Sequence, residues 1–63
     1  MKNSEAIAKI EGIVECDDEQ DYLNAWQHIV DTGIVWTLEH RFEHVAQQLL
    51  EAGIIRPPGI TIH

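Results

Sequence analysis

Five consecutive residues, His40-Arg41-Phe42-Glu43-His44, spell the pattern H-x-x-E-H. On a helix, side chains four apart stand on one face, so His40 and His44 can reach one zinc ion. Glu43 would then be the general base for a metal-bound water. Catalytic zinc also needs a third protein ligand and a substrate cleft. His28 or a carboxylate would have to supply that ligand, and no spacing in the chain demands it. A chain of 63 residues has little room for both a core and a cleft. Phe42 belongs to an apolar stripe, so His40 and His44 flank the stripe and Glu43 points largely outward. The expectation is a helix face carrying two histidines, with no specific metal site. Metal binding through His40 and His44 stays as an alternative.

Two other groups invite chemistry. Cys16 is the only cysteine, which rules out a disulfide within one chain. Its neighbours Glu15, Asp17 and Asp18 disfavour a thiolate and no base is adjacent, so it reads as a structural or incidental thiol. Asp17, Asp18 and Asp21 suggest calcium, but the glycine and terminal glutamate of a calcium loop are missing. The chain is therefore expected to be no enzyme and to need no cofactor. Within "ECDDEQD", Glu15, Asp17, Asp18, Glu19 and Asp21 are five of the eleven acids. Together with Trp36 they are the candidate partner-binding residues. The competing reading is plain: acids favour helix starts, and two tryptophans in a small chain usually bury.

Three helices would have to position these groups, giving an all-α domain over residues 1–63. The first spans about 4–14, capped by Ser4, with Ile7, Ile10 and Val14 on one face. The second spans 18–32. Asp17 can cap it with Gln20 three residues on, as a capping box requires. Tyr22, Trp26, Ile29 and Val30 form its stripe, and Gly33 can stop it in the left-handed region. The third spans 35–52, with Val35, Leu38, Phe42, Val45 and Leu49 in phase and Ala46 and Leu50 widening the stripe. Helices two and three make a helix-turn-helix hairpin whose core is Trp26, Ile29, Leu38, Phe42, Val45 and Leu49. An extended tail follows over 54–63; in it "ITIH" alternates like a strand and could pair with a second copy.

The totals restrict function. Four lysines and arginines against eleven acids give a net charge of −7. A phosphate backbone needs clustered Lys and Arg, so nucleic acid is not an expected partner, even though a helix-turn-helix is present. Residues 1–15 hold no unbroken apolar run, and nothing approaches the ~20 apolar residues of a membrane span, so neither a leader nor a membrane anchor is expected.

The string "DYLNAWQHIVDTGIVWTLEHRFEHVAQQLLEAGII" resembles a widespread family of short proteins of tailed bacteriophages. Members carry an acidic "GELDDEE" segment, a helix ending "QHLVDTGLVWQLQ", and "GxYGRxAxxLIEAGLI". Here the run from Gln27 to Trp36, QHIVDTGIVW, matches the middle block. Ala46, Leu49, Leu50, Glu51, Ala52, Gly53 and Ile54 match the end, and "EGIVECDDEQ" corresponds loosely to the start. One departure is clear: the usual G-x-Y-G-R is replaced by His40-Arg41-Phe42-Glu43-His44, so the histidines are not a family feature. The resemblance implies a phage origin and supplies no catalytic or binding residues to carry over.

The reading that follows is a small acidic phage accessory protein in the host cytoplasm. It would bind a host or phage protein, for example as an inhibitor of a host enzyme or defence system. A self-associating structural protein and a small-ligand or metal binder are the alternatives. A homodimer is expected in either protein-binding case. Ile34, Val35, Trp36, Ile54 and Ile55 are hard to bury in one chain, and exposed apolar patches mark interfaces.

Overall fold

The computed structural model describes residues 1–57. Over that stretch the chain is all-α. Its elements are α1 (Asn3–Glu11), α2 (Glu19–Asp31), a 3-10 turn over Ile34–Thr37, and α3 (His40–Glu51). The tail is described only as far as Pro57, and the expected pairing of "ITIH" lies outside the described residues.

α1 is shorter than its apolar spacing suggests. It ends at Glu11 rather than residue 14, because Gly12 adopts φ 81° and the Ile13 N–H donates back to the Ala8 carbonyl at 2.9 Å. A left-handed residue with that reverse bond turns the chain off the helix axis. Val14 therefore leaves the stripe and is exposed. Ser4 does not cap; Lys2 occupies the cap position and makes no side-chain hydrogen bond there. What α1 buries is Ala6 fully, with Ile7 and Ile10 partly covered.

The start of α2 corrects the expected cap by one residue. Asp18, not Asp17, accepts the Asp21 N–H at 2.8 Å. Gln20 takes no part and donates its amide to Asn24 at 2.9 Å. α2 ends where expected: Gly33 has φ 80°, a value open to glycine at little cost.

The expected helix over 35–52 is split. Ile34–Thr37 wind as a 3-10 turn, Leu38 and Glu39 are extended, and α3 starts at His40. Ile34, Val35 and Thr37 are β-branched and crowd an α-helix. The Thr37 hydroxyl also donates to the Ile34 carbonyl at 2.7 Å, a local bond that competes with helical pairing. The break resets the phase of the stripe. Ala46 is fully buried, whereas Val45, expected in the core, is 38% exposed.

The core consists of Trp26, Ile29, Val30, Val35, Phe42, Ala46 and Ile55, joined by Ala6 and Ala25, with Leu38, Leu49 and Leu50 packed at its edge. Trp26, 2% exposed, is its centre. Its ring lies 6.3 Å from Phe42 and 6.4 Å from Tyr22, in the range of favourable aromatic pairs. Val35 and Ile55, expected to be hard to cover, are buried. Ile55 reaches the core because Gln27 holds the next residue. Its side-chain amide donates to the Arg56 carbonyl at 2.9 Å and accepts the Arg56 N–H at 2.7 Å. Among the described residues no helix is long and apolar enough to cross a membrane.

Candidate interaction surface

The acidic segment is built into the junction of α1 and α2. Asp18 is spent on the helix cap. Asp21 accepts both hydrogen bonds of the Lys9 ammonium, at 2.8 and 2.9 Å, and also the Asp17 N–H at 3.1 Å. The Lys9 and Asp21 side chains are largely shielded from solvent. The Lys9 hydrogen bond, then the Asp17 N–H, hold the Asp21 carboxyl below the usual aspartate range. In turn Asp21, aided by Glu5 at 3.5 Å, pushes Lys9 above its ordinary value against the opposing effect of burial. Five acids thus serve two purposes. Asp18 and Asp21 fix the local fold, leaving Glu15, Asp17 and Glu19 exposed and facing no basic partner among the described residues.

Large apolar side chains stand beside those three acids. Ile13 is 74% exposed and Val14 43%, both in the loop leaving α1, and Tyr22 on the first turns of α2 is 37% exposed. Sequence reasoning placed Val14 and Tyr22 on the apolar stripes of their helices and gave Ile13 no role. A signal was present: Gly12 followed by two β-branched residues predicts a reversed chain with apolar groups just past it.

Trp36, the sixth candidate, is 43% exposed but is not part of this cluster. It lies in the 3-10 turn beyond the C-terminal end of α2, whereas the acids surround the N-terminal end. Thirteen residues of helix separate the two ends, about 20 Å at 1.5 Å per residue.

The histidine pair sits on the first turns of α3. The rings of His40 and His44 are 5.6 Å apart, and His40 Nδ1 is 3.4 Å from Glu43. The His40 side chain is 84% exposed. Arg41 lies over the face of the buried Phe42 ring, 4.7 Å from its centroid. His28, the proposed third ligand, is engaged elsewhere, its Nε2 lying 2.7 Å from the Asn3 side-chain oxygen. Among the described residues no group of three or more His, Cys, Asp or Glu is arranged to hold a metal ion. They also enclose no cavity.

Residues 13–63 match a domain of unknown function, DUF7417. The chain belongs to that family. No curated protein and no solved structure matches it. The DUF7417 stretch begins just after Gly12, so it takes in the exposed Ile13 and Val14, the acidic junction, α2, the 3-10 turn and α3. It leaves out α1.

Three ties in this DUF7417 protein were missed from sequence: Lys9 to Asp21, Asn3 to His28, and Gln27 to Arg56. Each joins residues between 12 and 29 positions apart. No periodicity reports such a pairing, because each depends on how two elements dock.

Proposed function

We propose that this DUF7417 protein is a tailed-phage accessory protein without catalytic activity. It acts in the host cytoplasm by binding a host or phage protein. The observation that carries the reading is the exposure of Ile13, Val14 and Tyr22 next to Glu15, Asp17 and Glu19. Interfaces gain most of their energy from a few apolar or aromatic anchors desolvated at the centre, with a polar rim around them. Here Ile13 and Val14 project from the loop and Tyr22 from the start of α2, a junction held by the Asp18 cap and the Lys9–Asp21 pair, so little ordering is needed on binding. The three acids form the rim, which suits a partner whose apolar cleft is bordered by Lys and Arg. The phage origin rests on the QHIVDTGIVW block and the LLEAGII end. The lowered Asp21 carboxyl and the raised Lys9 ammonium are explained by each other and need no catalytic role.

The test is affinity capture from host lysate with the full chain and with an Ile13→Asp, Val14→Asp variant. The reading expects a captured protein that the variant loses while the thermal melts stay alike. Capture unaffected by the variant would reject this surface. The double change His40→Ala, His44→Ala should leave capture intact; its loss would favour the metal-binding alternative.

A further inference from the structure

We propose that α1 is a displaceable occupant of a helix-binding face on α2, and that the natural ligand of this face is a basic amphipathic helix of a protein partner. The inference rests on the protein-binding reading but not on the Ile13 surface.

The face has a definite composition. Asp21, Ala25 and His28 recur at steps of four and three, which places them on one side of α2. Ala25 is fully buried, and so is Ala6 on α1. Small residues on both helices permit close approach. The two ends are pinned by polar side chains. Lys9, late in α1, holds Asp21 at the start of α2; Asn3, at the start of α1, meets His28 late in α2. The two helices are therefore antiparallel, and α1 is recognised by two specific contacts with an alanine seam between them.

α1 itself is poorly suited to be a permanent part of the fold. It has nine residues and no side-chain cap. Isolated helices shorter than ~12 residues are marginal in water, so α1 depends on its seat. It fully buries one alanine and only partly buries two isoleucines. Gly12, at φ 81°, joins it to a loop whose residues 13–15 and 17 are exposed, a hinge with few contacts to break. The DUF7417 match begins at the residue after that glycine.

Charge identifies the better occupant. Residues 1–12 hold two lysines and two glutamates, whereas residues 13–63 hold two arginines against nine acids. α1 is thus a nearly neutral ligand seated on a strongly acidic domain. A helix with the same Ala-Ile-x-x-Ile spacing and lysines in place of Glu5 and Glu11 keeps the contact to Asp21. It also gains attraction from Asp17, Asp18 and Glu19 near that end of the groove.

The probe is a fluorescent peptide of residues 2–12 carrying Glu5→Lys and Glu11→Lys, titrated into the full-length protein by anisotropy. Saturable binding to the wild type is expected, tightening at least tenfold in Lys9→Ala, where the internal competitor is weakened. Adding Asp21→Lys to that variant should weaken binding at least tenfold. Hydrogen exchange on the wild type gives a measurement independent of any variant. α1 amides should exchange faster than those of α2, and faster still when peptide is added. Absent or non-saturable binding, binding indifferent to Asp21→Lys, or α1 amides exchanging no faster than α2 would each overturn the proposal. Loss of the Ile13-dependent capture would leave this result unchanged, so the two readings fail separately.

Discussion

On one side of α2, α1 is held by polar side chains at both ends of an alanine seam. On the adjoining face, the 3-10 turn and α3 meet it through Trp26, Ile29, Val30, Val35 and Phe42, all buried. Apolar burial is worth roughly 1.5–3 kcal/mol for each large side chain, so the second seam holds most of the stability. The first seam fully buries only small side chains, Ala6 and Ala25, but fixes direction, since a charged pair and an amide–imidazole contact are satisfied in one register only. Stability and specificity are thus divided between adjoining faces of one helix. In a domain this small, total stability is only a few kcal/mol, so losses at the apolar seam are global while losses at the polar seam stay local.

The sharpest way to break that contrast is Trp26→Ala. Removing an aromatic from a closed core costs about 3–5 kcal/mol, enough to unfold most of the population, and a thermal melt by circular dichroism reads it directly. A melt little changed from wild type would mean that the apolar seam is not the source of stability. Next comes the phase of α3. Ala46→Leu should destabilise by about 1–3 kcal/mol through overpacking, while Val45→Ala on the half-exposed neighbour should stay within about 1 kcal/mol. Equal effects would contradict the phase set by the break at Leu38–Glu39. Asp18→Ala removes the α2 cap and should cost about 0.5–2 kcal/mol in urea unfolding, whereas the same change at Asp17 should cost much less.

The smallest global effect is expected from acid. Asp21 is held below the usual aspartate range, so its contribution is present above that range and disappears as pH falls through its lowered value. Lys9 is raised, so its contribution persists below the ordinary lysine value and is lost only as pH climbs beyond it. Across neutral pH the pair is constant. Below the carboxylate range, nuclear magnetic resonance shifts of α1 should move toward random coil before those of α3. Simultaneous loss of both would show that the two seams are one cooperative unit.

The all-α class, the three helices and the stop at Gly33 were legible from spacing and glycine placement. So was the central role of Trp26, Ile29 and Phe42. The break before α3 was not. The apolar residues at 35, 38, 42, 45 and 49 fit one continuous helix, and the competing preference of Ile34, Val35 and Thr37 for other backbones acts over only four residues. That single miss moved Val45 out of the core and Ala46 into it. The homodimer expectation drew on Val35 and Ile55 as surplus apolar surface; with both covered, Trp36 and Ile54 remain its basis. For the interaction surface, the charge of residues 15–21 was plain in sequence. The division between structural acids (Asp18, Asp21) and free ones (Glu15, Asp17, Glu19) was not, because Lys9 twelve residues earlier decides it.

The amide of Gln27 grips the backbone of Arg56 and ignores its side chain. That asymmetry sets rules for drift at the two positions. Position 56 can change to any residue that keeps an N–H, proline alone being barred, with no effect on how the chain is anchored. Position 27 has almost no latitude. Glutamate can accept but not donate, lysine can donate but not accept, and asparagine is one methylene too short to span both groups. Selection would therefore read as strict at 27 and silent at 56, although the two residues are bonded to each other.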